Sequence, residues 1–100
     1  MRIIAKGTIR DYWIANPKSE HSLLDWYDTA KNCEWQSPND VKLTYGNASI
    51  IANNRVVFNI AGNKYRLVVE MQYQAGIAWV KFIGTHVQYD KINVENVNEY

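Results

Sequence analysis

Three segments in the second half of the chain alternate apolar and polar residues with a period of two, the pattern of β-strands with one buried face. These segments are Arg55–Ile60, Lys64–Tyr73 and Ile77–Gly84. The sequences Ala61-Gly62-Asn63 and Gln74-Ala75-Gly76 separate them, and turns this short join neighbouring antiparallel strands. The pattern therefore predicts an antiparallel sheet at the centre of the fold.

The same alternation predicts the two faces of this sheet. One face of the sheet is apolar and is expected to pack on the core. It carries Val56, Phe58, Ile60, Tyr65, Leu67, Val69, Met71, Ala78, Val80 and Phe82. An antiparallel sheet commonly packs on one face and leaves the other in water. The second face, which we expect to be partly open to solvent, carries Arg55, Asn59, Lys64, Arg66, Trp79 and Lys81.

The first half of the chain has helical periodicity. The pattern predicts a short helix over residues 7–15 that starts with a capping box of Thr8 and Asp11. It predicts a second helix over residues 17–32, with Asn16 as its N-cap and Pro17 at its first position. Trp26 and Cys33 fall on the apolar stripe of this second helix.

Shorter elements complete the prediction. A strand is expected at Arg2–Ala5, a helical turn after Ser37-Pro38, and a last helical turn over His86–Ile92 with Thr85 as its cap. The polar tail 93–100 is expected to fray. The order predicts one α+β domain over residues 1–100, in which two N-terminal helices cover one face of an antiparallel sheet.

Composition narrows the functional classes. No apolar run approaches the ~20 residues that a membrane span needs, and the N-terminal residues lack the apolar segment of a signal peptide. A single cysteine, Cys33, fits a reducing cytoplasm. His21, His86 and Cys33 have no metal-ligand spacing, and no Gly-rich phosphate loop is present. We expect neither a metal nor a cofactor.

The net charge of +1 hides an uneven distribution. Six acidic residues lie in the first 40 positions, whereas residues 41–91 contain six basic residues and two acidic ones. The guanidinium of Arg66 suits phosphate oxygens, and Lys64 and Lys81 share its predicted face. The alternative is a merely solubilising face in which Glu70 pairs with a base across the strands.

His86 follows the last strand and is the candidate for proton transfer, because histidine exchanges a proton near neutral pH. Tyr89 lies three residues later, so a helical turn places both on one side, where the tyrosine can stack on a base. Asp90 could orient the imidazole. The alternative is a plain capping turn in which Thr85 and Asp90 satisfy backbone groups and Tyr89 packs.

Three stretches carry a resemblance that covers nearly the whole chain. They are Trp35-Gln36-Ser37-Pro38, then Val57 to Leu67 with its Gly62-Asn63-Lys64-Tyr65-Arg66 segment, and Phe82-Ile83-Gly84-Thr85-His86-Val87-Gln88-Tyr89-Asp90-Lys91. In their order and spacing they resemble the HigB-type toxins of the RelE superfamily.

This resemblance implies a cytoplasmic bacterial toxin of a type II toxin–antitoxin system. The implied activity is a ribosome-dependent mRNA interferase that cuts mRNA in the A site without a metal, by attack of the 2′-hydroxyl on the adjacent phosphate. The implied catalytic set is Arg66, Lys81, His86 and Tyr89. The implied RNA-binding set is Arg55, Asn59, Asn63, Lys64 and Lys91.

The implied partners are a HigA-like antitoxin with a helix-turn-helix domain, mRNA on the ribosome, and operator DNA through the antitoxin complex only. Two other functions use the same surface. One is a non-catalytic RNA-binding or ribosome-binding module. The other is a degenerate toxin that acts only as an interaction domain for its antitoxin.

Overall fold

A five-stranded sheet forms the centre of the protein, with the strand order β1-β5-β4-β3-β2 in a computed structural model that describes all 100 residues. The predicted strands β3, β4 and β5 are present and pair antiparallel, so the α+β prediction is confirmed. The bounds of the strands are β1 (Arg2–Ile4), β2 (Ser49–Ile51), β3 (Arg55–Ile60), β4 (Tyr65–Gln72) and β5 (Ile77–Thr85).

The sheet is mixed, because β1 runs parallel to β5, with Arg2 opposite Ile77 and Ile4 opposite Trp79. The prediction of an all-antiparallel sheet is therefore wrong for this strand pair. Parallel neighbours need a long crossover connection, and here the whole chain between residues 5 and 76 provides it. A strand of three residues carries no signal for the direction of its partner.

The helices are α1 (Lys6–Ala15), α2 (Glu20–Asn32), α3 (Pro38–Thr44) and α4 (His86–Tyr89), with a 3₁₀ turn at Pro17–Ser19 before α2. The prediction of a Thr8 cap is wrong, since Thr8 lies inside α1. Ser37 does cap α3, because its hydroxyl accepts a hydrogen bond from the Asp40 N–H. No helix of the protein combines the length and hydropathy that a membrane crossing requires.

The main core lies between the sheet and helices α1 and α2. Leu23, Trp26 and Ala30 of α2 are buried there, as their helical spacing predicts. The indole of Trp26 meets the ring of Phe58 edge-on, with the ring centroids 5.3 Å apart. Such pairs add to the free energy of apolar burial, so the contact fixes α2 across β3.

A β-bulge in β5 changes the predicted faces. Val68 pairs with Phe82 and Val69 with Val80, which leaves Lys81 as the extra residue. Beyond the bulge, Ile83 takes the core position and Phe82 turns to the second face. The prediction that Phe82 faces the main core is therefore wrong, because simple alternation contains no bulge.

Part of the second face of the sheet is covered. Val57, Val68 and Phe82 form a second buried cluster on it, and Ile92, Val94 and Val97 pack against that cluster. The tail residues 93–100 thus lie across this part of the sheet, so the prediction that they fray is wrong, whereas the end of the face that carries Lys64 and Arg66 stays accessible. An uncovered apolar row would cost about 25 cal/mol for each Å² left in water, and the tail removes that cost.

Two buried cations anchor the tail. Arg55 is 6% exposed, and its Nη1 donates to the carbonyls of Val94 (3.3 Å) and Val97 (2.5 Å). Its Nη2 lies 3.5 Å from the Glu70 carboxylate, the cross-strand pair that the solubilising-face alternative anticipated. Lys81 is 7% exposed, and its Nζ donates to Asn98 Oδ1 at 2.9 Å.

We predict that Arg55→Ala lowers the free energy of unfolding by about 3 kcal/mol, because it strips a buried ion pair and two carbonyl hydrogen bonds. Urea unfolding measures this loss, and limited proteolysis of the tail should accelerate in parallel. The matched control is Arg10→Ala, at an exposed position of α1, which should stay within about 0.5 kcal/mol of wild type. Equal stability of the two variants would contradict the anchoring role.

Candidate functional site

One end of the sheet brings several predicted residues together. The cross-strand register places Asn59 of β3, Arg66 of β4 and Gly84 of β5 side by side. The turn between β3 and β4 and the start of α4 meet at the same end, because the His86 N–H donates to the Lys64 carbonyl at 3.1 Å. We call Asn59, Asn63, Lys64, Arg66, His86 and Tyr89 the sheet-end cluster.

Arg66 lies at the centre of this cluster. Its Nη1 donates to the carbonyls of Asn63 (3.0 Å) and Tyr65 (3.2 Å), which holds the guanidinium against the turn. The guanidinium carbon is 5.8 Å from the centroid of the Tyr89 ring, a cation–π distance. No carboxylate forms an ion pair with Arg66, so its charge is available to an anion.

His86 and Tyr89 reach the cluster from α4. His86 is exposed, whereas Tyr89 is half-buried and packs its ring against the second apolar cluster. Because Tyr89 is both packed and in contact with Arg66, it orients the guanidinium relative to α4. Asp90 and His86 are joined through their backbones, N–H to carbonyl at 3.0 Å, and their side chains form no ion pair.

The remaining predicted residues lie elsewhere. Arg55 and Lys81 are buried under the tail, so the expectation that they lie beside Arg66 on an open face is wrong. The alternation of β5 places Lys81 on the second face of the sheet, but it does not predict that the tail covers this residue. Lys91 is exposed and lines a separate groove with Gln88 and Tyr100.

The residues considered as metal ligands are dispersed. His21 pairs with Asp25 on the exposed side of α2, with 3.3 Å between Nε2 and Oδ2. Cys33 follows α2 and packs at the edge of the main core. No group of three His, Cys, Asp or Glu side chains comes together anywhere in the chain. What the sheet-end cluster offers is unpaired cationic charge, an accessible imidazole and an aromatic ring.

Gly84 and Gln88 support this site, and the candidate set omits both. Thr85 and Gln88 form a capping box, in which Gln88 Oε1 accepts from the Thr85 N–H at 2.9 Å. A Cβ on Gly84 would lie 2.6 Å from that same Oε1 and 2.7 Å from Cζ of Phe82. The spacing Thr85-x-x-Gln88 is a signal that points to the capping box from sequence.

The α+β architecture, with a five-stranded mixed sheet and several helices, is compatible with a RelE-like fold. A comparison with family models matches residues 19–92, about three quarters of the chain, to HigB_toxin, the RelE-like toxic component of a toxin–antitoxin system. The chain therefore belongs to the HigB toxin family, and the predicted resemblance is confirmed. It is the toxin of a toxin–antitoxin system, which implies an antitoxin partner. No curated protein sequence matches the chain.

We predict that Gly84→Ala lowers the free energy of unfolding by about 1–3 kcal/mol, because the new methyl group must displace Gln88 and the buried ring of Phe82. Thermal or urea unfolding measures the change. Gly7→Ala in α1 is the matched control, since its Cβ meets nothing within 4 Å. The control should gain about 0.5–1 kcal/mol from helix propensity, and a similar gain for Gly84→Ala would refute the packing argument.

Proposed function

We propose that this toxin is a metal-free endoribonuclease that cuts mRNA on the ribosome and thereby stops translation. The observation that carries the proposal is the unpaired guanidinium of Arg66, held between the Asn63 carbonyl and the Tyr89 ring and close to the start of α4, where His86 is exposed. RNA cleavage needs a cation for phosphate charge, a titratable group and a surface for a base. Membership of the HigB family supports the same activity.

The proposed reaction uses the RNA's own nucleophile. A base removes the proton of a 2′-hydroxyl, whose oxygen attacks the adjacent phosphorus and forms a new O–P bond. The bond from phosphorus to the 5′ oxygen of the next nucleotide breaks, and an acid gives that oxygen a proton. The products are a 2′,3′-cyclic phosphate and a free 5′-hydroxyl.

Each residue of the sheet-end cluster has a proposed role. Arg66 stabilises the negative charge that develops on the non-bridging oxygens of the pentacoordinate phosphorane, where a preformed cation contributes most. His86 acts as the base or the acid, and Tyr89 stacks on a base or donates a proton. Lys64, Asn59 and Asn63 contact flanking nucleotides, and Lys91 holds a more distant one. Arg55 and Lys81 have no part in this scheme, because the tail occupies their polar atoms.

The wider biological setting follows from the family. We propose a HigA-like antitoxin with a helix-turn-helix domain as the partner, and binding of operator DNA through that complex alone. The proposed place of action is the bacterial cytoplasm, where translating ribosomes are found. The antitoxin would neutralise the toxin by covering the sheet-end cluster or by blocking its access to the ribosome.

We predict that expression of the protein without antitoxin arrests growth, and that Arg66→Ala and His86→Ala relieve the arrest at unchanged protein levels. Loss of one stabilising cation in such a site lowers the rate by about 10²–10³. The matched controls are Arg10→Ala and His21→Ala, exposed residues of the same types outside the cluster. These controls should remain toxic. Full toxicity of both cluster variants would show that the proposed site is wrong.

We also predict that mRNA 5′ ends mapped after brief induction lie within translated regions and keep a fixed relation to the reading frame. Untranslated RNA should stay intact. Scattered cuts in untranslated RNA would rule out dependence on the ribosome. Ribosome binding without any cut would favour the non-catalytic module, and a harmless protein that still co-purifies with its antitoxin would favour the degenerate toxin.

A further inference from the structure

A groove lies beside α4. Its floor is Phe82 of β5, and its walls come from Tyr12 of α1, from Gln88 and Lys91, and from the tail residues Glu99 and Tyr100. The groove has a volume of about 390 Å³, which is enough for one nucleobase together with water. We refer to it as the Tyr12–Tyr100 groove.

The chemistry of the groove combines flat apolar surface with a mixed polar rim. The two phenol rings offer surface on which a planar ring can stack, while Gln88, Lys91 and Glu99 offer an amide N–H donor, a cation and a carboxylate. A carboxylate repels a phosphate. The uncharged base of a nucleotide, and not its phosphate, is therefore the part that fits between Glu99 and Lys91.

Burial raises the pKa of both Tyr12 and Tyr100 above the ordinary tyrosine value. Both phenols therefore stay protonated well above neutral pH and keep an O–H that can donate to a base. Tyr12 is further held by an edge-on contact with Tyr65, whose ring centroid is 6.0 Å away. This wall of the groove is thus formed before any ligand arrives.

The tail wall is also held in place. The Glu99 N–H donates to the Lys81 carbonyl at 3.0 Å, and the Lys81 ammonium donates to Asn98. These bonds fix the backbone just before Tyr100. The buried Lys81 thereby acts as a positioning residue for Glu99 and Tyr100.

We propose that the Tyr12–Tyr100 groove is a nucleobase subsite, which binds a base of the RNA strand that crosses the sheet-end cluster. This proposal rests on the proposed ribonuclease function. The helix α4 connects the two places, since it carries Tyr89, whose ring contacts Arg66, and Gln88, which lines the groove. A base held here selects which phosphate reaches Arg66, so the groove contributes to the choice of cut site.

The direct test is a titration of the isotope-labelled protein with each of the four ribonucleoside 5′-monophosphates, followed by the amide shifts of Gln88, Glu99 and Tyr100. We expect at least one nucleotide to shift these amides, and inorganic phosphate to leave them unchanged. Tyr100→Ala should weaken that nucleotide's binding about 10-fold, the effect of removing one stacking ring. Tyr100→Phe, which keeps the ring, should bind within about threefold of wild type.

Amide shifts confined to the sheet-end cluster would contradict the proposed nucleobase subsite. Equal nucleotide affinity of Tyr100→Ala and wild type would also contradict it. The tail should stay in place in Tyr100→Ala, because Arg55 and Lys81 still anchor it. An unfolding curve that matches wild type excludes a loosened tail as the cause of weaker nucleotide binding. A second variant, Glu99→Gln, should change the base preference around the mapped cuts without abolishing cleavage, and an unchanged preference counts against the subsite. Nucleotide binding in the groove by a protein that cleaves no mRNA would leave the subsite standing and refute the nuclease function.

Discussion

Burial of one apolar row on the second face of the sheet governs how the last part of the chain folds. Val57, Val68 and Phe82 lie next to one another across β3, β4 and β5, and the helices α1 and α2 cover only the opposite face. Such a row is unstable in water unless another segment covers it. The tail supplies Val94 and Val97 for this purpose, which makes it part of the fold.

Covering this face divides the basic residues into two groups. Arg55 and Lys81 lose water when the tail lies over them, and a buried charge needs partners. Tail carbonyls, Glu70 and Asn98 provide those partners. Arg66 and Lys64 lie beyond the covered region and form no ion pair. A chain with a net charge of +1 can therefore present a local cationic site, because the unpaired side chains of Lys64 and Arg66 lie together at one end of the sheet.

Local patterns in the sequence predict the strands, helices and caps that depend on residues close together in the chain. The alternation of β3 and β4, the apolar stripe of α2 and the caps at Ser37 and Thr85 all appear in the structure. The direction of β1, the bulge at Lys81 and the path of the tail depend on contacts between distant parts of the chain, and no local period encodes them. The same limit applies to the site. The turn and strand-end residues come together as the strand register requires. Arg55 and Lys81 are instead buried by the tail, whose own sequence is mainly polar.

The bulge in β5 links this packing to the groove beside α4. Without the extra residue, strict alternation would keep Phe82 on the core face and Ile83 on the second face, and the apolar row under the tail would lose its aromatic member. The Lys81 carbonyl would also shift relative to the tail, although it is the acceptor that fixes Glu99. The strand irregularity that completes the second cluster therefore also sets the position of the groove's tail wall. It follows that loss of the bulge would change the stability of the tail and the shape of the groove together.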